Sequence, residues 1–413
     1  MKTAVLCIGD ELLKGATVNT NLAHIGQKLL EIGIVPVFAA EIPDAREPIC
    51  KALAQALEHA DLVLTTGGLG PTADDVTKEY IAAELGLRLE EDSDTTVRIL
   101  QYWKMRHASE QMPHRVLNQA LVPHGAEVIP NEFGTAPGLI LRTSDASRFP
   151  GKTVILLPGP PSEMEPMFDA RILPFIREQR KEVLHTRLFL LMGIGEPQTE
   201  ERMLEVLSRH HPLSAAYCAE PGLVRLFLTS TDPYTVAAAE EDVKRIFAEN
   251  ILDGESRSPA HEIIRLLRRE KAVMAAAESC TGGLVSKLMT DVPGASDVFL
   301  GSVVSYDNRI KTGLLGVPEE TLREHGAVSP ETARAMVEGA AARFGADAAV
   351  SLTGIAGPGG GTPEKPVGLV YAGIFWRGET EVHELRLRRS REQIRAGAAA
   401  AALNLLRRKI LAL

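Results

Sequence analysis

No apolar run in the 413 residues approaches the ~20 needed to span a bilayer, and the opening Met1-Lys-Thr-Ala-Val-Leu-Cys-Ile leads directly into a strand. Neither a membrane anchor nor a secretory leader is expected. Cysteine is scarce: Cys7, Cys50, Cys218 and Cys280 lie far apart, with no CxxC pair and no histidine at zinc-site spacing. That points to a reducing, cytoplasmic setting without a structural metal. Positive charge is short as well, with 45 Lys and Arg against 54 Asp and Glu and a net charge of −9, so the total gives no support to nucleic-acid backbone binding. Two nucleotide signatures are missing. No GxxxxGK followed by Ser or Thr occurs, and no GxGxxG opens a helix after a strand, which weakens kinase-like and dinucleotide-oxidoreductase readings.

What is present is an ordinary globular composition, 45% hydrophobic and 24% charged, in a chain longer than one core usually holds. At about 150 residues per domain it predicts two or three domains. Short apolar runs at Thr3–Ile8, 34–40 and 61–66, with amphipathic stretches between them, predict βαβ units with buried parallel strands. Two of these runs end in glycine-rich turns, Ile8-Gly-Asp-Glu and Thr66-Gly-Gly-Leu-Gly, as does the later Val154-Ile-Leu-Leu-Pro-Gly-Pro-Pro. In open α/β sheets, ligands sit at such carboxyl ends. The first domain is placed at 1–175. A charged helix-like segment at 176–182 and strands at 187–192 and 223–228 then predict a small α+β module over 176–252. The polar stretch Asp253-Gly-Glu-Ser-Arg-Ser-Pro259 has the profile of a linker. Beyond it a new α/β domain, 253–413, is expected: helix 261–269, strand 272–277, a helix to Thr290, strand 298–304, helix 331–344, strand 348–353, paired runs 368–376 and 381–387, and a closing Ala-rich helix.

In the first domain the turn Gly9-Asp10-Glu11 places two carboxylates at a strand end, and Asp74-Asp75 follow the loop Gly67-Gly68-Leu-Gly70-Pro71-Thr72. Clustered carboxylates suit a divalent metal, and glycines let several N–H groups turn onto a phosphate. Taken singly, each is equally a plain turn before a charged helix cap. In the last domain Glu278-Ser279-Cys280-Thr281-Gly282-Gly283 follows a strand, where free helix N–H groups would favour an anion or a developing oxyanion, or Ser279 is simply a helix cap. Ser305-Tyr306-Asp307-Asn308-Arg309-Ile310-Lys311 follows the next strand. No histidine here lies in a recognisable catalytic loop, so a serine would need a lysine of lowered pKa as base, with Tyr306 bridging the proton path; a solvated Lys311 is the other reading. Leu352-Thr353-Gly354-Ile-Ala-Gly357-Pro could wrap a ligand or form a surface turn. The arginines from Arg386 to Arg395 match phosphate or line a basic surface. Cys280 is the better attacking atom, yet neighbouring side chains point apart, so only one of Ser279 and Cys280 faces a pocket.

Ile8-Gly-Asp-Glu-Leu-Leu-Lys-Gly, Thr65-Thr-Gly-Gly-Leu-Gly-Pro-Thr-Ala-Asp-Asp-Val-Thr and Leu157-Pro-Gly-Pro-Pro-Ser-Glu-Met together resemble the molybdopterin-binding-like domain of the CinA family. The elements around Ser279, Ser305 to Lys311, Thr353 and Arg391 to Arg395 resemble its C-terminal domain, the nicotinamide mononucleotide deamidase type. The resemblance covers the whole chain. It implies a three-layer α/β first domain, a KH-like connector and an α/β deamidase domain. The first domain would be a metal-dependent ADP-ribose pyrophosphatase, with phosphate or nucleotide at Gly67, Gly68, Gly70, Thr72 and Glu163 and a divalent metal at Asp10, Glu11, Asp74 and Asp75. The deamidase would need no cofactor. By resemblance Ser279 is its nucleophile, Lys311 the base, Tyr306 the helper and Thr353 a further catalytic residue, with Thr281, Gly282, Gly283, Gly354, Gly357, Arg391 and Arg395 binding substrate. The family commonly carries Gly-Asp-Arg where this chain has Arg389-Ser390-Arg391, which leaves open whether Arg391 or Arg395 meets the phosphate. Gly193-Ile-Gly195 is not the GXXG clamp of RNA-binding KH domains and is read as structural. Expected partners are small nucleotides and a second copy of the chain in a homodimer. The alternative is a protein of DNA uptake and recombination that binds nucleotides or recruits partners without turnover.

Overall fold

The computed structural model describes residues 1–106, 112–179 and 184–412. The chain divides into two units, Met1–Thr186 and Arg187–Leu413. In the first, the order is β1 (Thr3–Ile8), α1 (Asp10–Leu13), α2 (Thr20–Glu31), β2 (Phe38–Ile42), α3 (Arg46–His59), β3 (Leu62–Thr66), α4 (Thr77–Glu84), β4 (Leu89–Glu91) and α5 (Ser93–Arg106). Then come β5 (Leu121–Pro123), β6 (Glu127–Ile129), β7 (Gly138–Arg142), β8 (Thr153–Leu157), α6 (Pro161–Met167) and α7 (Leu173–Glu178). One sheet has the order β2-β1-β3-β8-β7-β6, with β2, β1, β3 and β8 parallel and β7 antiparallel to both its neighbours.

All six residues of β1 are buried because alternate side chains enter two cores. Ala4 and Leu6 pack with Leu53 and Leu57 of α3 on one face, while Val5 and Cys7 pack with Ile25 and Leu29 of α2 on the other. Helices on both faces of a mostly parallel sheet make the three-layer α/β architecture that the βαβ pattern predicts. The second strand departs from expectation: it spans Phe38–Ile42 rather than 34–40. Pro36 has no N–H to give the ladder, so pairing opens only at the Val37 N–H, which donates to Thr3 O (2.8 Å), and Val35 and Val37 keep exposed side chains. The helix expected over 176–182 lies in α7, which ends at Glu178; residues 180–182 fall outside the described residues.

The second unit opens with β9 (His185–Met192, whose first residues precede the division), α8 (Glu196–Arg209), β10 (Ser214–Glu220), β11 (Leu223–Ser230) and α9 (Pro233–Ile246). A sheet ordered β10-β11-β9 results. There follow α10 (Pro259–Glu270), β12 (Met274–Glu278), α11 (Leu284–Thr290), β13 (Phe299–Val304), α12 (Asn308–Leu315), α13 (Glu319–His325), α14 (Pro330–Phe344), β14 (Ala348–Gly354), β15 (Leu369–Trp376), β16 (Glu379–Arg386) and α15 (Arg391–Leu411). Their sheet runs β13-β12-β14-β15-β16, with the first three strands parallel and the last two added antiparallel.

The stretch expected as a linker is pinned down. Ser256 Oγ donates to Glu262 Oε2 (2.6 Å), and Arg265 reaches Asp253 (2.7 Å) and Glu255 (2.8 Å). Glu262 also faces Arg407, a pair buried on both sides, and Arg407 donates to the carbonyls of Glu249 (2.8 Å) and Ile251. Leu190, Met192, Leu223 and Leu252 belong to the same apolar core as Ile263, Met274, Leu352 and Leu403. Polar composition here marks satisfied partners rather than mobility. Among the described residues no helix is long and apolar enough to cross a membrane.

Candidate active site

Asp307 caps α12 by accepting the Arg309 N–H (2.8 Å), and the helix turns Lys311 and Leu315, four residues apart, into the interior. Lys311 is 1% exposed. Its Nζ lies 2.7 Å from Ser305 O, 3.2 Å from Tyr306 O and 3.2 Å from Ser279 Oγ. Burial pushes its pKa below the ordinary lysine value, against a smaller opposing pull from Asp307 and Cys280. A neutral amine has two N–H donors and one lone pair. In that form the two carbonyls, which only accept, would take the donors and leave the lone pair facing the Ser279 hydroxyl. The sequence alternative of a solvated Lys311 is thereby excluded.

β12 sets which of the two candidate nucleophiles faces Lys311. Ala277 packs toward α14 with Val303 and Ala349, so Ser279, two residues on, falls on that face, the side from which Lys311 approaches. Cys280 packs on the other face with Ala276, Val285 and Leu352, and burial pushes its thiol up to about 11. At neutral pH that sulfur is a protonated core atom. Cys280→Ala is therefore expected to retain most catalytic activity, at a stability cost of about 1 kcal/mol; loss of turnover with fold intact would return the thiol to candidacy.

Glu278, buried beside them, corrects one expectation. Its carboxylate accepts from the N–H groups of Gly283 (3.1 Å), Val285 (3.0 Å) and Ser286 (3.0 Å), so the start of α11 is already filled by an anion of the chain itself. Gly282 and Gly283 have φ of +61° and +94°, which lets the turn double back to that carboxylate. The donors that meet no backbone carbonyl are one step earlier, the N–H groups of Cys280, which turns to its own sulfur, and of Thr281. Arg395 fixes the direction of the Thr281 N–H, with Nε on Cys280 O (3.1 Å) and Nη2 on Thr281 O (2.6 Å). In a trans peptide the N–H points opposite the carbonyl, so holding Cys280 O from one side presents the Thr281 N–H to the other.

Arg391 donates to Gly357 O (2.5 Å) and lies 3.4 Å from the Tyr306 hydroxyl. Tyr306, 65% exposed, thus turns its hydroxyl to Arg391 and not between Ser279 and Lys311; its contribution to Lys311 is the main-chain carbonyl. Thr353 is buried at the end of β14, with its hydroxyl on Ala327 O (2.5 Å). Gly354 follows it against Val370, where a Cβ would come within 2.6 Å of the valine side chain. The Thr281 hydroxyl is buried without a partner.

In the first unit Gly67 and Gly68 have positive φ, and a Cβ on Gly67 would sit 2.0 Å from Ile8 O, so the loop packs on the end of β1. Gly68, Gly70, Thr72 and Asp75 line a cleft of about 330 Å³ with Lys78 and Arg115, two cations that the sequence motifs did not single out. Lys78 is buried, donates to Asn118 O (2.7 Å) and is held below the ordinary lysine pKa by desolvation. Thr72 bonds Asp74 and Asp75 through its hydroxyl (2.5 Å each), and its N–H donates to Asp75 (2.8 Å). Glu163 turns instead to Asn131 (2.6 Å), and burial raises its pKa. Asp10 accepts from Lys14 (2.8 Å) and exchanges backbone bonds with Asp44. Desolvation raises the Asp44 pKa, and repulsion from Glu11, Asp10 and Asp74 adds to it, so Asp44 is a carboxylate of this cluster that sequence reasoning missed. Hard carboxylate oxygens suit a divalent cation by chemistry. Their spacing does not present a ready cage: among the described residues no group of three or more His, Cys, Asp or Glu could hold a metal ion.

These features define a two-unit α/β protein with a serine–lysine site at the carboxyl edge of one sheet and an acidic, glycine-looped cleft in the other unit. Residues 4–178 match the family described as "Probable molybdopterin binding domain", and 256–410 that described as "CinA C-terminal domain". The chain is 39% identical to the CinA-like proteins of Dictyoglomus thermophilum and Kosmotoga olearia, over the whole of each pair. A solved structure of the competence/damage inducible protein CihA from Agrobacterium tumefaciens, 43% identical, covers 36% of this chain and 91% of its own, with a TM-score of 0.35. The chain belongs to the CinA family.

Proposed function

We propose that the second unit hydrolyses the amide of nicotinamide mononucleotide to nicotinate mononucleotide and ammonia. The observation that supports it above all is Lys311, desolvated, with Nζ within hydrogen-bond reach of two carbonyls and of Ser279 Oγ. Lys311 takes the Ser279 proton as Oγ attacks the amide carbon, and the open N–H groups of Cys280 and Thr281 receive the oxyanion. Arg395 is committed to the turn, which leaves the more exposed Arg391 to meet the substrate phosphate. A protein that only bound nucleotides would have no use for a desolvated amine on a hydroxyl, which disfavours the recruiting alternative. The test is ammonia release by the intact chain: nicotinamide mononucleotide should turn over far faster than free nicotinamide, and no release by folded protein, or equal rates on both, would overturn the reading.

For the first unit we propose cleavage of the ADP-ribose diphosphate with a divalent cation. Support comes from the cleft that sets the Gly68–Thr72 loop beside Lys78 and Arg115, together with the mutually repelling carboxylates around Asp44. Removing divalent metal with EDTA should abolish this cleavage and leave ammonia release unchanged. Asp75→Asn should lower it equally selectively; cleavage undiminished in EDTA would refute the metal requirement.

A further inference from the structure

What brings Lys311 to Ser279 lies one layer out from the pair. Lys311 rides on α12, whose outer side is exposed at Ile310 and Leu314 and whose inner side rests on α14, with Leu315 packed among Met336, Val337 and Ala340. Lys311 and Leu315, four residues apart, lie one above the other on that inner side. At the contact α14 carries Gly339. A β-carbon there would lie 1.9 Å from Leu315 O and 2.8 Å from Leu315 C, the main chain of α12 itself. No change of rotamer relieves a clash with main chain. One turn on, Arg343 donates to Leu314 O (3.2 Å), so residues 339 and 343, on one face of α14, receive the last turn of α12.

α14 is in turn fixed to the sheet that carries the serine. Ser351 Oγ of β14 donates to Ala333 O (2.6 Å), and on β15 Gly373 admits the helix so closely that a β-carbon there would stand 2.8 Å from the same carbonyl. β12 pairs with β14 up to Glu278 and Leu352, and the Ser279 N–H continues that ladder to Leu352 O (2.9 Å). The separation of serine and lysine is thus set by two backbone contacts, sheet to α14 and α14 to α12. We propose that Gly339 is a positioning residue for the base: by having no side chain it lets α12 settle on α14 at the depth that brings Lys311 Nζ to Ser279 Oγ. With alanine at 339, carbon–oxygen contact opens at about 3.3 Å, so the last turn of α12 has to lift on the order of 1 Å. α12 yields rather than α14, because its far side faces water while α14 is held on the sheet. Lys311 is then carried away from Ser279 Oγ and from the carbonyls of Ser305 and Tyr306.

The inference rests on the deamidase reading with Lys311 as its base, and its test is made in the full chain. Gly339→Ala should lower kcat for ammonia release by about 10²-fold, the scale of a reacting group misplaced by 1 Å. KM should stay within about threefold, because Arg391 and the turn from Ser279 to Gly283 belong to α15 and β12 rather than to α12. The pH profile should move as well. Asp307 and Cys280, the titratable groups that act on Lys311, pull its pKa up and burial pulls it down more strongly, so lifting the amine toward water shifts the rise of kcat/KM to higher pH. A variant that merely loosened the fold would leave that rise in place. Gly313→Ala is the control: it adds the same methyl to the exposed side of α12, where nothing lies within 4 Å, and should keep the kcat and the profile of the parent. Folded Gly339→Ala with kcat within about threefold of the parent would overturn the proposal, being far below the expected scale, as would an equal loss in Gly313→Ala. Should Gly339→Ala fail to fold, Arg343→Ala, exposed and free of any clash, reads the same contact: kcat should fall severalfold at unchanged KM, and a kcat equal to the parent's would overturn the proposal. If Lys311→Ala keeps full turnover, the reading of the base itself fails, whatever Gly339→Ala does.

Discussion

Ser279→Ala is expected to lower kcat for ammonia release by on the order of 10³-fold or more, Lys311→Ala to do the same, and the double variant to be little worse than either, because the two groups act as a unit. The arrangement that carries this is the 3.2 Å approach of Nζ to Oγ. The same amine sets the pH dependence. Its pKa is lowered from the ordinary 10.5 by burial, so the base form grows as pH rises, and kcat/KM should climb through that lowered value and level off above it. Stability should move in the same direction. Between the lowered value and 10.5 the unfolded chain binds the proton that the folded one has lost, so folding gains as pH rises through that window. Lys311→Arg, permanently charged, should show neither the rise nor appreciable turnover. A profile that falls with pH over the same range, or additive losses in the double variant, would remove Lys311 as the base.

Glu262→Ala should destabilise the second unit by about 3–5 kcal/mol, the usual cost of leaving a buried charge alone. Arg407 is buried with it, 3.3 Å away, and is surrounded by the carbonyls of Glu249 and Ile251, with no water-facing route for its charge. Replacing both partners at once, Glu262→Leu with Arg407→Met, should cost less than either single change, because no orphan charge remains. Urea unfolding of the intact chain measures this; a single-variant loss under about 1 kcal/mol would mean that solvent reaches the pair.

The sequence was most legible where a buried strand delivers its chemistry at once. β1 and β3 are unbroken apolar runs ending in glycine turns, and Ser279 directly follows β12. Lys311 lies six residues after Ser305 on a short helix with a visible Asp307 cap, so its approach could be anticipated, although nothing in the string tells a buried lysine from a solvated one. What stayed hidden depends on distance along the chain or on direction in space. Asp44 faces Asp10 from 34 residues away. Lys78 looks like any helix lysine until Asn118 closes over it. Tyr306 sits in the expected motif, yet its hydroxyl points to an arginine 85 residues on. The helix start at α11 looked vacant because Glu278 carries no mark in the sequence that it folds back to fill it.

The shared core of the second unit bears on how this chain could be divided and recombined. Residues 187–252 give Leu190, Met192, Leu223 and Leu252 to the apolar interior of the serine–lysine half, and the main chain at Glu249 and Ile251 supplies acceptors to Arg407. A cut in the polar stretch after Leu252 would look natural on composition, but it would bare part of that interior and strip a guanidinium of two partners. A cut ahead of His185, where β9 begins, would sever neither. The α+β segment and the serine–lysine half thus share one interior, and a chain divided after Leu252 is expected to leave each piece less stable than the undivided unit.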